Sequence, residues 1–383
     1  MKKAKSFLEF YGEHNISPVR QDLSDYLKHR LRRECLYRHL GLLPSYFTGK
    51  KILEFGPGGG FNSLIIADFG PRQYTLVEGN PQGVREIKAN FKKHPLLNFG
   101  RFKVVHSKVE DYSTKELFDI AICECMVPHS KNQAVILNKL DSLLLPKGVM
   151  IVTCEDEISS FYEFIKRYFA FQLVKDVVGF ENKVSILVEA FERHKKTLLG
   201  SSRYTRDWVI DTFLNEAVFN PLFSIKDCLA SLGKKYLVYH TSPMIFTDYR
   251  WYKSIPEDRK SFNNYVIEEF DTIRHNLFFT NKNFNKRTKI KNDKLSKLCW
   301  QARRLIYLNE MKGLDVKKSM LEVISGLISN LKDTDNDVLG SLRDIRELLK
   351  MKIQVKDISQ KYPLFIKAFG KVSQYISLIK NHE

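Results

Sequence analysis

The sequence predicts an α/β fold built on a mostly parallel sheet, and two observations carry that expectation. Between residues 51 and 154, five short apolar runs alternate with helix-like segments, the pattern of strands joined by crossover helices. Each run is nearly continuous in Val, Ile or Leu, as strands buried on both faces require. The strands are expected at Lys51 to Phe55, Gln73 to Val77, Phe102 to His106, Phe118 to Cys123 and Val149 to Cys154. Helices are expected at about 61–68, 81–93, 114–117 and 131–144.

Flanking regions read differently. Leu23, Tyr26, Leu27, Leu31, Leu36, Leu40 and Leu43 recur at helical spacing, so residues 1–49 form an N-terminal helical segment. After 157 the texture is helical and aromatic until Gly233, which suggests a helical insertion or cap over 157–232. Lys235 to Tyr239 reads as a further strand, with 275–280 as a candidate for another, so 233–289 should complete the sheet. Residues 290–383 read as a helical region, with Val316, Met320, Val323, Ile324, Leu327 and Ile328 on one face.

Composition bounds the function. The chain has 383 residues, 43% of them hydrophobic and 28% charged, as in an ordinary globular protein. Six cysteines occur without a C-x-x-C pair, and no secretory signal or apolar run of membrane-spanning length is evident. A cytoplasmic location and no metal site are the expectations. The net charge of +18 would attract polyanions, and residues 274–304 alone hold ten Lys or Arg against Asp293. Such a run offers nucleic acid a landing site or is simply a solvated face.

The chemistry concentrates in Glu54-Phe55-Gly56-Pro57-Gly58-Gly59-Gly60, between a strand and the helix-like run Phe61 to Ala67. Glycines at such a turn permit positive φ and close approach of a ligand to the backbone. A dinucleotide site wants G-x-G-x-x-G, but here the spacing is G-x-G-x-G. No Lys-Ser/Thr follows, which excludes a P-loop. Glu54 would repel a pyrophosphate and welcome a cationic amino group. S-adenosylmethionine carries such a group and lacks phosphate. Glu78, ending the second strand, can accept both ribose hydroxyls, and Glu110 or Asp111 could read an adenine amino group.

With these residues in place, 50–155 resembles a class I S-adenosylmethionine-dependent methyltransferase, through the ordered motifs ILEFGPGGG, YTLVEGN, HSKVEDY, FDIAICE and LLPKGVMIV. The resemblance implies a Rossmann-like, mostly parallel seven-stranded sheet with a helical insertion and a helical C-terminal appendage. It implies that Glu54, Gly56, Pro57, Gly58 and Gly60 hold the methionine portion, Glu78 the ribose, and Val109 with Glu110 the adenine. The family often has Asp where Glu54 stands. No Asp/Asn-Pro-Pro-Tyr/Phe follows the fourth strand, which speaks against enzymes that methylate DNA bases or glutamine.

The acceptor is less constrained. An alcohol would want a base, and Glu124 and His129 lie where a base is needed, beyond the carboxyl end of the fourth strand. A second polar and aromatic cluster runs from His240 to Lys253. A sugar or small metabolite, such as one in a surface-glycan pathway, is favoured because an insertion can build a closed pocket. A protein side chain comes next, because Asn220-Pro221-Leu222-Phe223-Ser224 is similar to a helical module in some bacterial protein-lysine methyltransferases. RNA or DNA comes third, through the basic run. A binding module without turnover, and a homodimer through the C-terminal helices, also stay open.

Overall fold

The computed structural model describes residues 5–94, 101–255 and 260–381. The chain starts with α1 (Phe7–His14), closed at its N-terminus by a reciprocal Ser6/Glu9 capping box and ended by Asn15 in the left-handed conformation. Next come α2 (Tyr26–His39) and the single turn α3 (Pro44–Phe47). The first half of the sheet follows: β1 (Lys51–Phe55), α4 (Ser63–Asp68), β2 (Gln73–Glu78), α5 (Pro81–Lys93), β3 (Phe102–His106), β4 (Phe118–Cys123), α6 (Gln133–Leu143) and β5 (Leu144–Cys154).

The chain then builds α7 (Phe161–Val174), α8 (Phe180–Lys196) and α9 (Thr205–Val209), and continues with α10 (Ile225–Leu232), β6 (Tyr236–Ser242) and α11 (Lys260–Ile273). Four further helices follow, α12 (Lys289–Lys312), α13 (Lys317–Asn330), α14 (Asn336–Lys350) and α15 (Pro363–Lys367), before β7 (Gln374–Lys380).

These elements fall into two compact units, each made of several chain segments. The first comprises residues 1–155, 216–269 and 373–383; the second comprises 156–215 and 270–372. The first unit holds the expected seven-stranded sheet, in the order β3-β2-β1-β4-β5-β7-β6. Strands β1 to β5 are parallel, and β7 lies antiparallel between β5 and β6. One face is sealed by Tyr37, Leu40, Phe47, Ile52, Leu64, Ile65, Tyr74, Ile120 and Ile151, all fully or almost fully buried.

The second unit is helical. Its α7 is buried on nearly every side, so its polar residues are satisfied internally. The Arg167 guanidinium grips Glu310 through two bonds (2.8 and 2.5 Å) and donates to the carbonyls of Thr212 and Asn215. The Lys166 ammonium donates to the Ala368 carbonyl and lies 3.9 Å from the Phe369 ring centroid.

Several expectations need correction. Residues 114–117 form no helix; the Thr114 hydroxyl accepts the Glu116 amide at 3.1 Å, a local bond that competes with helical pairing. Residues 275–280 are not a strand, since a 3-10 turn occupies Arg274–Leu277. The seventh strand lies instead at 374–380, inside a region read as wholly helical. Four of the ten cations of the basic run pair with carboxylates: Arg274 with Glu157 (2.8 Å), Lys282 with Asp335 and Asp337 (3.1 and 3.2 Å), Lys289 with Asp271 (3.3 Å) and Lys291 with Asp333 (3.4 Å). Those carboxylates lie outside the run in sequence, which is why the run looked uncompensated.

Candidate functional site

The sheet changes its direction of winding at β1, whose neighbours are β2 and β4. The crevice beyond the carboxyl ends of these strands is where an open α/β sheet takes its ligands. The glycine turn lies there. Gly56, Gly58 and Gly60 all have positive φ (+68°, +58° and +74°), a region that strongly favours glycine. A Cβ on Gly56 would stand 1.9 Å from the Met126 sulfur, and one on Gly58 2.7 Å from Val19 Cγ2. The Gly60 amide closes the turn onto the Pro57 carbonyl at 2.9 Å.

Two carboxylates flank the turn. Glu54 Oε2 accepts bonds from the Ser63 hydroxyl (2.7 Å) and the Tyr74 hydroxyl. Burial, with the nearby Glu124 charge, pushes the Glu54 carboxyl up to about 7. Glu78 is 5% exposed, and its two oxygens accept the amides of Gly58 (2.8 Å) and Asn80 (2.7 Å). Burial raises it, too, to about 7. A carboxylate with both oxygens engaged by amides still has lone pairs for hydroxyls. Val109 is buried, whereas Glu110 is exposed and accepts from the Asn132 amide at 3.3 Å.

At the end of β4 the two acceptor-side candidates have different surroundings. Both oxygens of Glu124 are taken by the guanidinium of Arg33, which also donates to the Tyr37 hydroxyl at 2.7 Å. Despite the cost of burial, the Glu124 charge holds that guanidinium well above its ordinary range. His129 has φ +63° and donates its amide to the Pro221 carbonyl at 2.8 Å. Its Nε2 lies 3.2 Å from Glu155 Oε2, one residue past β5. In the His240 to Lys253 segment, Asp248 and Arg250 pair with each other while Tyr249, Trp251 and Tyr252 are exposed.

The methyltransferase domain family model matches residues 27–167, which span α2, the glycine turn, β1 to β5 and the first part of α7. The chain contains a class I S-adenosylmethionine-dependent methyltransferase domain. Over 107 residues it is 31% identical to the mitochondrial ubiquinone biosynthesis O-methyltransferase of Schizosaccharomyces pombe, covering 28% of this chain and 38% of that one. Over 132 residues it is 27% identical to a protein arginine N-methyltransferase of Arabidopsis thaliana, covering 33% of each. The chain thus spans less than two fifths of the length of either relative. It is also similar to the N-methyltransferase NodS from Bradyrhizobium japonicum, solved with S-adenosyl-L-homocysteine, at 17% identity and TM-score 0.32 over 39% of this chain and 74% of that one.

S-adenosylmethionine is the cofactor of this methyltransferase domain, and the turn suits it. The three left-handed glycines make a tight turn in which a Cβ would meet Met126, Val19 or Ile87, and the two flanking carboxylates suit a cationic, hydroxyl-bearing ligand. Sequence reasoning missed four residues that the fold brings to the domain's site: Arg33, Tyr74, Asn80 and Glu155. The first had a signal, because Tyr26, His29, Arg33 and Tyr37 share one face of α2. The last had none, since its partner His129 lies 26 residues away on another strand's exit.

Proposed function

We propose that this chain transfers the methyl group of S-adenosylmethionine to a small acceptor molecule, a sugar or another metabolite. The observation that carries the choice of acceptor is the path of the N-terminal segment. Its Phe7 ring lies 6.2 Å from the His129 ring, Leu8 lies over Gly79 and Val19 over Gly58. The Ile16 carbonyl accepts from the Asn80 side-chain amide at 2.9 Å, and the Lys5 carbonyl from the Asn220 side-chain amide at 3.0 Å. Chain therefore crosses the exits of β1, β2 and β4, as an enclosed small-molecule site requires.

In this reading the glycine turn and Glu54 hold the methionine portion, Glu78 the ribose, and Val109 with Glu110 the adenine. Bound there, S-adenosylmethionine supplies a methyl carbon already activated by its sulfonium charge. The protein's work is then to orient the acceptor and exclude water. Glu124, neutralised by Arg33, anchors α2 to β4 and is a poor candidate for the base. His129 is left to face the acceptor. A protein side chain is the second reading, supported by the Arabidopsis relative's name. Pairing of four of the ten cations in the basic run weakens the case for nucleic acid, which stays the third reading.

The test is transfer of labelled methyl from S-adenosylmethionine into fractionated lysate. Label in the small-molecule fraction supports the proposal; label confined to protein would replace it with the second reading. Calorimetry with S-adenosylhomocysteine tests the cofactor separately, and absence of binding would sink both.

A further inference from the structure

The stretch from Met244 to Tyr252 carries four large side chains that the fold leaves in water. Tyr249 is 90% exposed, Tyr252 71% and Trp251 61%, and Met244 is exposed as well. The Trp251 and Tyr252 ring centroids are 5.8 Å apart. The loop beneath these rings is anchored. The Thr241 hydroxyl donates to the Pro243 carbonyl (2.9 Å) and accepts the Ile245 amide (3.0 Å). Asp248 holds the Arg250 guanidinium through two bonds (2.8 and 2.6 Å), and that guanidinium lies 4.1 Å from the Tyr265 ring centroid on α11. The Tyr265 hydroxyl donates to the Thr247 carbonyl at 3.2 Å. Side chains beneath thus hold the loop in place while Tyr249, Trp251 and Tyr252 stay outside. Grouped apolar exposure of this kind marks a contact with a partner or a membrane.

The loop has a defined place in the fold. Strand β6 runs parallel to β5, since both are antiparallel to β7. Ser242, at its end, lies opposite Tyr375, and Tyr375 lies opposite Thr153 near the end of β5. The aromatic loop therefore leaves the sheet at the edge where the cofactor crevice opens. The end of α2 adjoins it, with His39 Nδ1 3.2 Å from the Ser242 hydroxyl oxygen. On the outer face of α2, Leu27 and Leu31 are exposed one turn apart, among exposed Lys28, Arg32 and Arg38. The acid of that helix, Glu34, pairs with Arg30 at 2.8 Å. Lys253 adds a cation beside the rings, its ammonium 5.1 and 5.6 Å from the centroids of Trp251 and Tyr252.

We propose that the segment Met244 to Lys253, with the outer face of α2, docks the chain on a membrane surface that bears anionic headgroups. Tyr and Trp suit the boundary between headgroups and acyl chains, because each is an apolar body with a polar tip. The aliphatic side chains of Leu27, Leu31 and Met244 favour a bilayer over a nucleic acid strand, which is held by ring stacking and cations. Lys28, Arg32, Arg38 and Lys253 meet the headgroups, and the net charge of +18 draws the chain to such a surface from a distance. A loop and a helix face of this kind lie on a membrane without crossing it. Docking turns the carboxyl edge of the sheet toward the bilayer.

The test is sedimentation of the full chain with phosphatidylcholine vesicles, with and without phosphatidylglycerol, in the absence of S-adenosylmethionine. The chain should sediment with the anionic vesicles and be released as salt rises. Trp251→Ser combined with Tyr252→Ser should lower the partition coefficient at least about tenfold. Lys28→Gln combined with Lys253→Gln should lower it about fivefold for each charge removed. These four side chains are exposed, so circular dichroism of the variants should match the wild type. In a Trp300→Phe background, vesicles with brominated acyl chains should quench the fluorescence, and Trp251→Phe should remove most of that quenching. Equal sedimentation with neutral vesicles, none with either kind, or a partition unchanged by loss of both rings overturns the proposal. Capture of a labelled single-stranded RNA through the same residues, without vesicle binding, overturns it in favour of nucleic acid. Failure to bind S-adenosylhomocysteine would bear on the methyl-transfer reading alone.

Discussion

At the residue scale the glycine turn and its two carboxylates form the candidate cofactor site. Gly58 combines φ +58° with a Cβ position 2.7 Å from Val19. Gly58→Ala should cost about 1–2 kcal/mol through the left-handed backbone alone. It should also weaken S-adenosylhomocysteine at least about tenfold, a factor worth about 1.4 kcal/mol, read by calorimetry. Unchanged affinity would show that the ligand does not approach this glycine. Glu54 and Glu78 make a second prediction. Both are raised to about 7, so near neutral pH each holds a fraction of a proton. A cationic group or ribose hydroxyls beside them favour the ionised form. Ligand binding at about pH 7 should therefore release protons, and the calorimetric enthalpy should change with the buffer's ionisation enthalpy. Glu78→Gln should reduce that release.

The same carboxylates show what was legible from sequence. Glu54 and Glu78 stand out because each ends an apolar strand, and strand ends are readable locally. The Glu54 bonds to Ser63 and Tyr74 depend on α4 and β2 packing beside β1, so they emerge only from the fold. Glu124 looked like a base from its place after β4. That Arg33, 91 residues earlier, takes both its oxygens could not be seen in either segment alone.

At the element scale the parallel strands were legible because each is a short apolar run closed by a turn. β7 was not. It follows a long helical stretch and pairs with β5, more than 200 residues earlier in sequence. Its register sets Leu378 opposite both Met150 of β5 and Val238 of β6, so it bridges strands that are otherwise unpaired to each other. Deleting residues 373–383 should expose two sheet edges and their apolar side chains, giving insoluble protein. A soluble truncated chain with wild-type circular dichroism would contradict that role. The absent helix at 114–117 has the opposite origin, a local Thr114 bond that outweighs a weak helical tendency.

At the scale of the whole molecule the two units carry buried groups of opposite kind. In the first, Glu54 and Glu78 are raised from 4.5 to about 7. The folded state then binds more protons than the unfolded one between these values, and stability is lost as pH rises through about 7. In the second, burial lowers Lys166 from 10.5 to about 7. There the unfolded state binds more protons, and stability is lost as pH falls from about 10.5 toward about 7. Acidification from about pH 8.5 to about pH 6 should thus raise the melting transition of the first unit and lower that of the second. Scanning calorimetry of the intact chain checks this, and Lys166→Met should remove most of the second unit's response. Two transitions moving together would contradict it.

By itself the sequence determined the strand-turn-helix of β1, the glycine turn and α4, and the class of cofactor expected there. Those properties reside in contiguous residues: glycine spacing, strand-end acids and the apolar period. Only the tertiary structure decided that Arg33 neutralises Glu124, that four cations of the basic run are paired, that the last strand completes the sheet, and that Glu155 meets His129. Each of these joins residues far apart in the chain, and a buried charge or imidazole takes its chemical character from whichever group the fold sets beside it.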